Sequence, residues 1–274
     1  MRQLTQILCA IKLRVLQGRG VLPVFRILEA IVFGTRVRAD ILDYLLKHYY
    51  LSKFRRDWLL CDSPPHFEDN RCFLHLWYLS RGTRWPLGRN PDFLARGLFN
   101  REVMRAGDRV LDICCGDGFF DFLFYSGIAG QVDAIDIDRS AIAMANRYHL
   151  ANNVSYRVLD CVKEELPQGS YDVVVWDGAI AHFTKDEVAN VMAKIKNALG
   201  SDGILVGSEA LETWEGKTWD HHLAFPEPAD LRQFLLQFFP HVLIKEIPPI
   251  RGRYREAYFR CGDKREELDG HQWS

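Results

Sequence analysis

No apolar run in these 274 residues approaches the roughly 20 that a membrane-spanning helix needs. Lys12, Arg14 and Arg19 break up the apolar residues near the start, which is unlike a secretory leader, so a cytoplasmic location is expected. Positive charge is not in excess. The chain has 35 Lys and Arg against 36 Asp and Glu, a net charge of −1, which gives no general nucleic-acid signal. Cysteine does not form a framework either. The seven cysteines (Cys9, Cys61, Cys72, Cys114, Cys115, Cys161 and Cys261) are scattered and odd in number, which suits a reducing compartment. Adjacent Cys114 and Cys115 have no second pair at ligand spacing, so they read as small packing residues rather than a metal site. There is no internal repeat and no low-complexity segment. What remains is an ordinary globular balance, 48% apolar and 26% charged, long enough to bury a substantial core.

The most informative stretch is Val110-Leu111-Asp112-Ile113-Cys114-Cys115-Gly116-Asp117-Gly118-Phe119-Phe120. A short apolar run ends in an acidic residue and passes into small residues and glycines, as when a buried parallel strand turns into a helix. Three further strand-like runs also end in acidic residues: Val132–Asp136, Val154–Asp160 and Tyr171–Asp177. Helix-compatible segments between them predict alternating strands and helices, and so a parallel sheet covered on both faces. Carboxylates at successive strand ends then gather along one edge, where open sheets bind ligands.

Taken together, these motifs resemble the class I S-adenosylmethionine-dependent methyltransferases over roughly residues 100 to 261. The resemblance implies S-adenosyl-L-methionine as cofactor. It places the Asp112–Gly118 loop, including Cys114, Gly116 and Gly118, at the methionine end. Asp136, with Ile137 after it, matches the ribose position, and Asp160 with Cys161 matches the position facing the adenine amine. Asp177 and Gly178 match the motif between the methionine moiety and the acceptor. Cys114 stands where the family usually has glycine, and a positive φ there would cost about 1–2 kcal/mol.

Thr184-Lys185-Asp186-Glu187 reads as a capping box opening a helix whose apolar stripe is Val188, Val191, Met192, Ile195 and Leu199. Ile204–Glu209 reads as the fifth strand. Two final runs, His241–Ile247 and Tyr254–Cys261, are joined too briefly to be parallel. The expected fold class is therefore α/β, a Rossmann-like seven-stranded sheet with six parallel strands and one antiparallel strand, plus an N-terminal helical extension. The domains are expected at 1–99 (helical extension and lid-like connector), 100–262 (cofactor-binding domain) and 263–274 (polar tail).

A nicotinamide dinucleotide enzyme is the competing interpretation. Its fingerprint needs a third glycine, but Asp121 stands in that place and would repel a pyrophosphate at a helix N-terminus. A sulfonium cofactor carries no phosphate, so an acidic loop suits it. A chain that binds the cofactor as a non-catalytic partner subunit is the other alternative.

Residues 1–60 hold eleven Lys or Arg against four Asp or Glu, with Leu4, Ile7, Leu8, Ile11 and Val15 at helical spacing. Such basic amphipathic helices pack on a catalytic domain or another subunit, or lie peripherally on an anionic membrane. In the connector from about 61 to 100, Arg81, Arg84 and Arg89 are candidates for meeting an acidic acceptor.

Methyl transfer asks mainly for alignment and water exclusion, with proton removal when the acceptor oxygen has a high pKa. His182, just past Asp177-Gly178, is the candidate general base, with Glu209 or His222 positioning the acceptor. The ligand types His182, Glu209 and His221 or His222 allow a metal, but none is expected. After the fourth strand the chain has Asp177-Gly178-Ala179-Ile180 and no Asn-Pro-Pro-aromatic motif. In the resembled superfamily that motif goes with amino groups of bases and glutamine side chains. The expected acceptor is a small molecule, oxygen before nitrogen.

Overall fold

Leu111 and Ile113 face one side of the central sheet while Val110 and Asp112 face the other, and the neighbouring strands repeat this alternation. The computed structural model describes residues 91–217, 220–247, 255–264 and Leu268. The predicted N-terminal helices, Arg81, Arg84 and Arg89 of the connector, and most of the predicted polar tail lie outside the described residues.

In chain order the elements begin with α1 (Pro91–Arg101), β1 (Arg109–Ile113), a π-helical turn (Asp121–Tyr125), β2 (Gln131–Asp136), α2 (Arg139–Tyr148), β3 (Val154–Val158) and β4 (Tyr171–Trp176). There follow a 3₁₀ turn (Ile180–His182), α3 (Lys185–Ala198), β5 (Leu199–Leu211), α4 (Pro228–Leu235), β6 (His241–Ile247) and β7 (Arg255–Gly262). The seven strands lie in the order β3-β2-β1-β4-β5-β7-β6. β7 is antiparallel to both β5 and β6, and every other pairing is parallel, so six strands share one direction and β7 is reversed. This is the sheet expected from the sequence. Among the described residues no helix is long and apolar enough to cross a membrane.

Two apolar layers cover the sheet. On one face Leu111, Ile113, Val174 and Trp176 pack under Val188, Val191, Met192 and Ile195 of α3 and under Leu231 and Leu235 of α4. On the other, Val110, Val132, Ala134 and Val175 pack under Phe99 of α1, Phe120 and Phe124, and Ile142 and Ala145 of α2. The predicted capping box is present: the Thr184 side chain accepts from Glu187 N while Glu187 accepts from Thr184 N.

Two local expectations are corrected. No helix joins β3 to β4 among the described residues. Asp160 instead closes a turn by accepting from the amides of Val162 (3.0 Å) and Lys163 (3.2 Å). Lys194 of α3 then donates to the carbonyls of Cys161, Val162 and Glu164, satisfying backbone groups that a helix would have paired internally. The helix after the glycine loop is only a short π-helical turn, closed by Ser126 N donating to Asp121 O at 2.8 Å.

Candidate active site

β1 ends at Ile113, and the chain reverses through three left-handed residues: Cys114 (φ +64°), Gly116 (φ +58°) and Gly118 (φ +70°). Cys114 therefore occupies a conformation in which a side chain is strained. Gly118 has a second constraint, since a Cβ there would lie 2.4 Å from the Tyr156 ring. Asp136, at the end of the adjacent β2, anchors this loop. Its Oδ2 accepts from Gly116 N and its Oδ1 from Asp138 N, both at 2.8 Å. A carboxylate offers about four acceptor positions, so this orientation is compatible with ribose hydroxyls as further donors. Ile137 follows, half-buried.

The loop sits among closely spaced acidic side chains. Asp112 and Asp121 are buried and face one another from β1 and the π-helical turn. Burial first, then the Asp121 carboxyl and the charges of Asp177 and Asp136, push Asp112 well above the usual carboxylate range. Burial pushes Asp121 up to about 7. Such a site disfavours a phosphate and favours a cation, which fits a sulfonium cofactor and not a dinucleotide. The sequence placed Asp121 only as an obstacle to pyrophosphate; its partnership with Asp112 needed the fold.

Asp160 and Cys161, matched by resemblance to the adenine end, are placed differently from one another. The Asp160 carboxylate belongs to its own turn and to an ion pair with Lys163 at 2.9 Å. Burial opposes that ionisation, but the Lys163 bonds outweigh it and hold the pKa below the usual value. Cys161 is buried in the core.

At the end of β4, Asp177 accepts from Arg96 Nη2 (2.8 Å) and Nε (3.2 Å) and from Ser208 Oγ (2.6 Å). Gly178 follows at φ +63°, and a Cβ there would lie 2.4 Å from Arg96 Nη2. Arg96, which comes from α1, was not foreseen; nothing in its local sequence marks it.

Glu209, expected to position the acceptor, is buried and bonds to backbone. It is 2% exposed, and its Oε1 accepts from Ile180 N at 2.6 Å at the start of the 3₁₀ turn. Burial pushes its pKa up to about 8, against the pull of the Ile180 bond and of Arg96. His222, the other residue expected to position the acceptor, is placed differently. Its backbone amide donates to Ala181 O, and its side chain is exposed to solvent.

His182 meets other partners, contributed by the segment after β5. Its Nδ1 lies 3.3 Å from Asp220 Oδ2, and its ring meets the His221 ring edge-on at 4.6 Å between centroids. His221 Nδ1 in turn lies 2.9 Å from Glu212 Oε2. Burial first, then His221, hold the His182 imidazole below its ordinary pKa, outweighing the opposite pull of Asp220. The backbone bonds from His222 and Leu223 to Ala181 O bring this segment onto the end of β4. Of the adjacent histidines, the fold turns His221 inward and His222 outward.

A family profile described as "Methyltransferase domain" matches residues 110–203. Phosphoethanolamine N-methyltransferase 3 of Arabidopsis thaliana is 34% identical over 84 residues, covering 29% of this chain and 17% of that protein. The ribosomal protein L11 methyltransferase of Acetivibrio thermocellus is 25% identical over 178 residues, covering 65% of this chain and 55% of that protein. The chain thus spans only part of the length of these relatives. Among solved structures, the DhpI–SAH complex shares the fold, with a TM-score of 0.51 and 20% identity over 78% of this chain and 96% of that one. Residues 110–203 thus match a methyltransferase domain, and the strand order with its reversed β7 is the fold of the DhpI–SAH complex.

Proposed function

We propose that the protein methylates a small-molecule acceptor, an oxygen before a nitrogen, with S-adenosylmethionine as donor. When bound, the cofactor supplies a methyl group already activated on a cationic sulfur. The chain's own residues supply the rest. Asp136 orients the glycine loop and is placed to accept from a ribose. A cation beside the carboxyls around Asp112 would favour their charged forms, which burial disfavours in its absence. Arg96 and Ser208 fix Asp177 at the acceptor side of the same edge.

The observation that carries the oxygen preference is the cluster of His182, Asp220 and His221 at the carboxyl ends of β4 and β5. A hydroxyl must lose its proton to attack, whereas a neutral amine attacks as it stands. A polar cluster able to take up or neutralise that proton is therefore most useful to an oxygen nucleophile. The named relatives include a phosphoethanolamine N-methyltransferase and ribosomal protein methyltransferases, so the acceptor class rests on this cluster and not on them.

The test is S-adenosylhomocysteine release from a panel of small hydroxyl and amine acceptors, with the L11 protein as a macromolecular arm. For an acceptor that turns over, His182→Ala should lower turnover by about 10²–10⁴-fold while leaving S-adenosylhomocysteine affinity unchanged. Turnover within a few-fold of the parent would assign His182 to loop structure. Turnover confined to amines or to the protein substrate would overturn the oxygen small-molecule assignment.

A further inference from the structure

Among the described residues, His182, Asp220 and His221 form a group whose ligand-type atoms all lie within 4.8 Å of one another. We infer that these three residues bind a divalent first-row transition ion, zinc in type, with positions left open on the acceptor side of the site.

The chemistry of the donor set points to such an ion. Two imidazole nitrogens and one carboxylate oxygen are the set that open zinc sites use, with the remaining positions left to water or substrate. An all-oxygen preference argues against magnesium or calcium here. The geometry agrees. Ligands on one tetrahedral zinc, at bond lengths of about 2.0–2.1 Å, stand about 3.3–3.4 Å apart. His182 Nδ1 and Asp220 Oδ2 are already 3.3 Å apart. Two histidine rings meeting at 88° with centroids 4.6 Å apart can direct nitrogens toward a common point.

A second observation is the support behind the group. Glu212, whose side chain is 6% exposed, holds His221 Nδ1 at 2.9 Å. A carboxylate in that position fixes the tautomer with Nδ1 protonated and leaves Nε2 as the ligand atom, the arrangement found behind metal-bound histidines. Asp220 Oδ1 is also buried and has no hydrogen-bond partner among the described residues. Two largely buried carboxylates, Asp220 and Glu212, thus surround two imidazoles; Lys217 lies close by, but its Nζ donates to the His221 carbonyl. A cation between the histidines would offset the cost of burying those charges.

The inference deepens the functional proposal only in what the ion would do, which is to lower the pKa of an acceptor hydroxyl. Its test therefore measures ion binding alone. The full chain, stripped with a chelator and dialysed, is titrated with cobalt(II), followed by the visible absorption of the protein-bound ion, and then with zinc(II) as competitor. The expected result is uptake of one cobalt per chain, displaced by zinc and not by excess magnesium. His221→Ala and Asp220→Asn should each weaken uptake at least tenfold. Glu212→Gln, which retains all three ligands, should weaken it by about 10–100-fold. His222→Ala, at an exposed neighbour, should leave it unchanged. Circular dichroism and S-adenosylhomocysteine affinity on the same samples show whether each variant is folded. No cobalt uptake by the parent, or uptake equal in parent, His221→Ala and Asp220→Asn, overturns the inference, as does displacement by magnesium. Loss of methyl transfer with uptake intact would instead count against the functional proposal.

Discussion

Arg96 Nη2 lies 2.8 Å from Asp177 Oδ2, so a helix that precedes the first strand is pinned to the end of the fourth. Side-chain exposures of 13% and 7% put this pair largely out of water. Removing one member of such a pair leaves the other charge buried and uncompensated, at a cost of about 3–5 kcal/mol. Arg96→Ala is therefore expected to lower unfolding free energy by that amount in urea titrations. Arg96→Met combined with Asp177→Asn should recover most of it. A loss below about 1 kcal/mol in the single variant would show that the pair is effectively solvated.

Asp136 ties the glycine loop to β2 through bonds from Gly116 N and Asp138 N. Asp136→Ala removes both acceptors, and with them the proposed ribose contact. Hydrogen bonds to a charged group are worth about 1.5–3 kcal/mol each, and 1.4 kcal/mol is tenfold in affinity. Calorimetry should then show S-adenosylhomocysteine binding at least tenfold weaker than in the parent. Unchanged affinity would remove Asp136 from the cofactor site.

The sheet was legible because each of the first four strands leaves a local signature, an apolar run closed by an acidic residue, and because the brief join between the last two strands forbids a parallel pair. The capping box at Thr184 was legible for the same reason: its partners are three residues apart. The acceptor side was not. Arg96 meets Asp177 across 81 positions, and Glu212 meets His221 across nine. Glu209 has the residue type and position of a catalytic group, but only its burial and its bond to Ile180 N reveal a cap. His221 and His222 differ in role because backbone bonds to Ala181 decide which of two adjacent side chains turns inward.

Cys114 tests how much strain the loop carries. At φ +64° a cysteine is disfavoured by about 1–2 kcal/mol relative to glycine. Cys114→Gly is expected to retain S-adenosylhomocysteine affinity and stability to within about 1 kcal/mol, relief of strain offsetting the lost sulfur contacts. Cys114→Val, with a β-branched side chain in the left-handed region, should lose both. Thermal unfolding with and without S-adenosylhomocysteine measures the two together. Equal behaviour of the glycine and valine variants would mean that the loop is not held in this conformation in solution.

Glu209 makes stability depend on pH in a predictable direction. Its pKa in the folded protein is pushed up from 4.5 to about 8, chiefly by burial, so the folded chain binds this proton more tightly than the unfolded chain does. The associated stability is fully present below about pH 4.5, declines as pH rises toward 8, and is gone above that. Glu209→Gln keeps an acceptor for Ile180 N and cannot ionise. Asp112 and Asp121 titrate in both proteins, so the difference between parent and variant isolates Glu209. Urea unfolding at about pH 5 and about pH 9 should show the variant gaining on the parent by an amount on the order of a few kcal/mol between the two conditions. Parallel pH profiles would show that the carboxyl is already ionised at low pH, and so that water or a cation reaches it in the folded protein.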